Sequence, residues 1–120
     1  MEKEVFDFVA EQCKILATTD SSKQCTKDAA QAWLDAVAAD EAAADEATAT
    51  LLDYLDGRPH SIDGAIAFAQ GPAVAVMGQE AADAMLQKAI AAKEAGVKFC
   101  LCDACTAASK ILAKFGRVEL

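Results

Sequence analysis

A chain of 120 residues has the length of one domain and can bury a core without help from staples. Its formal charge is −8, from 19 acidic and 11 basic residues, which argues against nucleic acid and against an anionic membrane surface as partners. Hydrophobic residues make up 54%, but the bulk of that share is alanine, the best helix former and a small contributor of buried area.

That composition predicts an all-α fold: a single-domain helical bundle of about five helices spanning 1–120. The first helix is expected from Glu2 to Ala17, where Val5, Val9, Cys13 and Leu16 recur at spacings of four and three and make one stripe. Thr18 to Ser22 reads as a turn, and Ser21 followed by Gln24 fits a capping box. The next helix carries Cys25, Ala29, Trp33 and Val37 on one face. No glycine or proline interrupts Ser22 to Asp56; a helix that long is unusual in a small domain, and Asp40 is the N-cap residue at which a break is expected. The Ala, Asp, Glu and Thr run from Ala38 to Thr50 reads as an exposed helix packed through alanines and anchored by Leu51, Leu52 and Leu55.

Gly57-Arg58-Pro59 ends that helix. Ser61 is the expected N-cap of a short helix, Ile62 to Gln70, carrying Ile62, Ile66 and Phe68. Gly71-Pro72 and Gly78 break the chain again. A long helix follows from Gln79 to Ala95, with Ala82, Met85, Leu86, Ala89 and Ile90 inward and Gly96 as a left-handed stop. The last helix covers roughly Asp103 to Phe115, with Ala108, Ile111, Leu112 and Phe115 inward. Between these two, Val97, Phe99 and Leu101 alternate with Lys98, Cys100 and Cys102, a two-residue period that would be an extended segment. An α/β alternative would place short parallel strands at 73–77 and 97–102.

The chemistry of the sequence is concentrated in Cys100-Leu101-Cys102-Asp103-Ala104-Cys105. If 97–102 is extended, Cys100 and Cys102 point the same way, and Cys105 lies in the first turn of the next helix, close to both. Thiolates suit zinc, iron–sulfur clusters and copper(I), and a helix N-terminus favours the thiolate. A structural zinc normally takes four ligands. Cys100, Cys102 and Cys105 supply three, and the candidates for a fourth are Cys13, Cys25 and the single histidine, His60. Zinc is expected ahead of an iron–sulfur cluster. Two other readings stand beside this one: thiol exchange or persulfide transfer through Cys102, with Cys100 or Cys105 resolving, and a packing role in which free cysteines are small core residues. Cys13 and Cys25 both fall on core stripes. No dinucleotide, Walker, zincin or nucleophile-elbow motif is present, so a catalytic role is not indicated.

Met1-Glu2-Lys3-Glu4 lacks the basic-then-apolar opening of a secretory signal, and no apolar run reaches the roughly 20 residues needed to cross a bilayer. A cytoplasmic location is expected, where cysteines are more often reduced, metal-bound or catalytic than paired. Alanine-rich helix faces would serve self-association or a partner helix.

Taken whole, through Lys3-Glu4-Val5-Phe6-Asp7, Ala32-Trp33-Leu34-Asp35-Ala36-Val37, Ile62 to Ala69 and the Cys100 to Cys105 run, the chain resembles a family of small acidic bacterial helical proteins sometimes given a heat-shock chaperone name. That resemblance implies no activity, and the chain has neither the length nor the motifs of an ATP-dependent chaperone. The C-terminal half, through Gly71-Pro72-Ala73-Val74 and Ala95 to Cys102, is similar to part of the DsrE-type sulfur-relay fold. The resemblance implies parallel strands at Ala73 to Met77 and Val97 to Cys102, with Cys102 at the sulfur-carrying position.

Overall fold

The computed structural model describes residues 1–120 and contains seven α-helices and no strand: α1 (Lys3–Thr18), α2 (Gln24–Ala39), α3 (Ala44–Leu55), α4 (Ile62–Gln70), α5 (Pro72–Met77), α6 (Gln79–Glu94) and α7 (Asp103–Lys114). The all-α expectation holds, with seven helices rather than five. The long stretch from Ser22 divides at Asp40, whose carboxylate accepts from the Ala42 N–H at 3.0 Å and starts the 3₁₀ turn Glu41–Ala43 ahead of α3. The α/β alternative is overturned. Residues 73–77 lie in α5, started by Pro72 at its first position, where the missing N–H costs nothing. Residues 97–102 form no strand and make a single antiparallel bridge, Phe99 with Ser61, and no parallel pair. The strand pair that the sulfur-relay resemblance implies is therefore absent.

The helices fall into two groups. α1, α2, α3 and α7 pack on one another, and α4, α5 and α6 pack on one another, with no extensive helix-on-helix contact between the groups. The molecule is correspondingly elongated, 48 × 26 × 19 Å. The first group holds the main core, in which Val9, Cys13, Leu16, Trp33, Leu55, Ile111 and Leu112 are fully buried. Trp33 donates from Nε1 to the buried Thr48 hydroxyl at 2.9 Å, and its ring meets Phe6 with centroids 5.5 Å apart. The second group is held largely by alanines: Ala65, Ala69, Ala73, Ala82 and Ala89 are buried, with Ile62 the one large buried side chain. Small residues allow close helix approach but remove little apolar area from water. Two of the expected inward residues are accordingly not inside. Phe68 is 36% exposed, because Ala65 and Ala69 occupy the packed face of α4, and Cys25 is exposed in the first turn of α2.

The chain crosses between the groups twice, through 56–61 on the way out and 95–102 on the way back. Gly96, at φ 92, ends the outward excursion as expected, with Val97 N–H donating to Ala92 C=O at 2.9 Å and Gly96 N–H to Lys93 C=O at 3.0 Å. The two crossings then pair: Ile62 N–H donates to Lys98 C=O and Cys100 N–H to His60 C=O, each at 2.8 Å. Ser61 caps α4, its hydroxyl accepting from Gly64 N–H at 3.0 Å. Ser61→Ala is expected to cost about 1 kcal/mol and to appear as faster amide exchange in α4 before α1, α2, α3 or α7. Equal acceleration across all helices would show that the two groups open as one.

Candidate metal centre

Gly96 turns the chain back along the joint between the two groups, and the extended segment that follows places Cys100 and Cys102 on one side of the backbone. Leu101, on the other side, is 46% exposed. Cys102 keeps extended dihedrals (φ −63°, ψ 154°) and serves as the N-cap of α7. Its sulfur accepts from the N–H of Cys105, three residues on, at 3.3 Å. That is the position a Ser or Asp cap usually fills, and it brings Cys105 onto the same point. The three sulfurs all lie within 4.8 Å of one another. An ion about 2.3 Å from each sulfur wants them roughly 4 Å apart, so the three thiols can close on one ion with sub-ångström adjustments. Three cysteines in this arrangement could hold a metal ion.

The surroundings fix the cluster without using the imidazole. His60 donates its backbone N–H to the Cys105 sulfur at 3.4 Å and accepts from Cys100 N–H through its carbonyl, while the residue itself is exposed. Ser21 does not form the expected capping box. Its hydroxyl instead accepts from the N–H of Ala104, in the first turn of α7, at 3.0 Å, and the N-cap of α2 is Lys23 with no side-chain bond. Cys100 and Cys105 form a small buried cluster with Ala65 of α4, Met85 of α6 packs against that cluster, and Cys102 is half-buried. Cys102 lines both a polar cleft of ≈ 290 Å³, with Lys23, Arg58 and His60, and a mainly apolar groove of ≈ 690 Å³ between α4, α6 and 100–102.

The thiols are not equivalent. Cys102 is pulled down to about 2, first by the hydrogen bond from the Cys100 thiol and next by that from Cys105, with the Cys105 N–H and the Ser21 hydroxyl adding to them. Cys105 is pushed up, first because its thiol donates to Cys100 and then to Cys102, with burial adding to this. Cys100 is also raised, chiefly by its bond to Cys102. The first proton therefore leaves from Cys102. In metal-free reduced protein Cys102 is expected to be alkylated before Cys100 and Cys105, and its lowered pKa keeps it a thiolate at pH 6, where an ordinary thiol near 8.5 slows tenfold per unit. Peptide mapping after brief iodoacetamide treatment at pH 6 checks this; a label on Cys105 ahead of Cys102 would contradict it.

The remaining candidate ligands lie elsewhere. Cys13 is fully buried in the core of α1, and burial pushes its thiol up to about 12. Cys25 accepts from the Tyr54 hydroxyl at 3.0 Å, a bond that lowers its pKa, while the Arg58 guanidinium lies over the Tyr54 ring at 3.9 Å. No histidine or carboxylate joins the three sulfurs. Two contributors carried no legible signal: Ser21 reaches α7 across 83 positions, and Met85 reads in sequence only as one more inward residue of α6. No helix is long and apolar enough to cross a membrane. Comparison with protein-family models, with curated proteins and with solved structures finds no match to this chain.

Proposed function

We propose that this chain is a thiolate metal-binding protein in which Cys100, Cys102 and Cys105 hold one thiophilic ion in a structural or regulatory role. The observation that carries the reading is the convergence of three sulfurs within 4.8 Å at the place where both crossings between the helix groups meet. Bound there, an ion would tie α7 to the segment that leads out of α6. N–H donors from His60 and Cys105 and the N-terminus of α7 favour the charged sulfurs a metal requires. Of the ions the sequence suggests, zinc could complete its shell with water from the polar cleft. An iron–sulfur cluster held by four cysteines would need a fourth thiolate, and Cys13 and Cys25 lie apart from the three. Zinc therefore stands ahead of iron–sulfur.

A second reading has its own support, the N-cap position of Cys102 with Cys105 one turn on. In thiol exchange the Cys102 thiolate would attack a substrate disulfide, expelling one substrate thiol. Cys105 would then attack the mixed disulfide, releasing the other thiol and leaving Cys102 and Cys105 oxidised. One preparation separates the readings: elemental analysis of protein purified anaerobically without chelator or affinity metal, paired with a thiol count. One ion per chain, with Cys100, Cys102 and Cys105 shielded from alkylation until a chelator is added, is the expected result. Five titratable thiols and no uptake of any added thiophilic ion would overturn the metal reading and leave the exchange reading standing.

A further inference from the structure

We infer that the ion this site selects is copper(I), held by the three thiolates with the Met85 thioether as a fourth, longer sulfur donor; this rests on the metal-binding reading above. The donor set carries the inference. The three sulfurs are joined by no imidazole and no carboxylate, whereas Met85, a thioether, packs from α6 against the small buried cluster of Ala65, Cys100 and Cys105 and lines one groove with Cys100 and Cys102. Thiolates suit copper(I) and zinc alike, but zinc completes its shell with thiolate, imidazole or carboxylate rather than a thioether, and it seeks four ligands. Three thiolates already satisfy a monovalent ion that accepts low coordination, whereas zinc would still have to draw its fourth ligand from solvent.

The placement of Met85 adds to this. It projects from α6 into the groove shared with Cys100 and Cys102, whose walls include Ala65, Phe68 and Met77. An apolar flank of this kind disfavours the hydrated divalent ion and suits a weakly hydrated one. Three thiolates around one monovalent ion leave two negative charges, and these face the N-terminus of α7 and the N–H groups of His60 and Cys105. α6 belongs to the second helix group and Cys105 to the first, so the thioether also reaches across the joint.

The test uses the full reduced chain, handled anaerobically, titrated with copper(I) against a coloured copper(I) chelator and separately with zinc against a zinc indicator. Met85→Leu keeps the packed volume and is expected to weaken copper(I) binding about tenfold while changing zinc binding less than twofold. Met77→Leu, in the same groove, serves as the control and is expected to change neither. X-ray absorption of the copper(I)-loaded protein should show sulfur alone around copper, and the longest copper–sulfur distance should disappear in Met85→Leu. Equal copper(I) affinity in the wild type and Met85→Leu, or a nitrogen or oxygen donor on copper, would overturn the inference while leaving the metal reading intact. Failure of that broader reading looks different: neither ion binds, or both bind equally well after Cys100, Cys102 and Cys105 are all replaced by serine.

Discussion

Replacing Cys102 and Cys105 together with serine is expected to lower affinity for a thiophilic ion by roughly a hundredfold or more and to abolish any rise in thermal stability on metal addition. Two of three sulfurs disappear, and a lone thiolate at Cys100 has no partner with which to enclose an ion. The stability effect follows from linkage. An ion present at a thousand times its dissociation constant adds about 4 kcal/mol to the folded state, which for a chain of this length raises the melting temperature by about 15 °C. That gain should be unevenly distributed. The ion would join 100–102 to the first turn of α7, the joint through which the alanine-packed second group is attached. Protection against amide exchange should therefore rise most in α4, α6 and the two crossings, and least in α1 and α2. Cys25→Ser, exposed and remote, is expected to leave affinity and melting unchanged. A double variant that still shows the full metal-induced shift would place the ion elsewhere and remove the basis for the site.

How much of this is legible in the sequence depends on the range of the interaction. Local signals suffice where the partner lies within one turn: Asp40 starting the turn before α3, Ser61 capping α4, and Gly96 closing α6 with a positive φ. The stripe of Val9, Cys13 and Leu16 is also legible, because a helix face that is continuously apolar has only one way to be buried. Periodicity fails where a face competes with a better one. Phe68 lies outside because α4 approaches α6 through alanines, and Cys25 lies outside because the first turn of α2 is flanked by Tyr54 and Arg58 instead of core. Alternation at 97–102 matches the bridge at Phe99 and the extended dihedrals of Cys102, but the hydrogen-bond partner, 60–62, is not the one that strand-like spacing suggests. The cysteine cluster is visible as a run. Its surroundings, the hydrogen bonds from the Ser21 hydroxyl and the His60 backbone and the packing of Met85, are not, since each reaches the cluster across at least one helix.

Trp33→Ala is expected to destabilise the protein by about 3–5 kcal/mol, the largest effect of any single substitution outside the cysteines, and to lower the melting temperature by roughly 15 °C. Trp33 is 1% exposed at the centre of the main core, and its removal leaves a cavity bounded by helices that cannot collapse without moving α1 or α3. It also strands the Thr48 hydroxyl, buried at 3% exposure, whose partner is the indole N–H; an orphaned buried polar group adds a further 1–3 kcal/mol at most. Trp33→Phe separates the two contributions, since it retains much of the volume but not the donor, and should fall between. Against a total stability of about 5–15 kcal/mol for a domain, the alanine variant stands near the threshold of folding. The consequence reaches the site through α7, whose Ile111 and Leu112 are buried in the same core while Cys105 occupies its first turn. Loosening the first group should therefore expose Cys105 to alkylation in metal-free Trp33→Ala, and added copper(I) or zinc should partly restore both protection and melting temperature. Restoration by metal in Trp33→Ala, and none when Cys102→Ser and Cys105→Ser are added to it, would tie core stability and ion binding to the same helix. Melting temperatures that respond to metal identically with and without those cysteines would show that the two are independent.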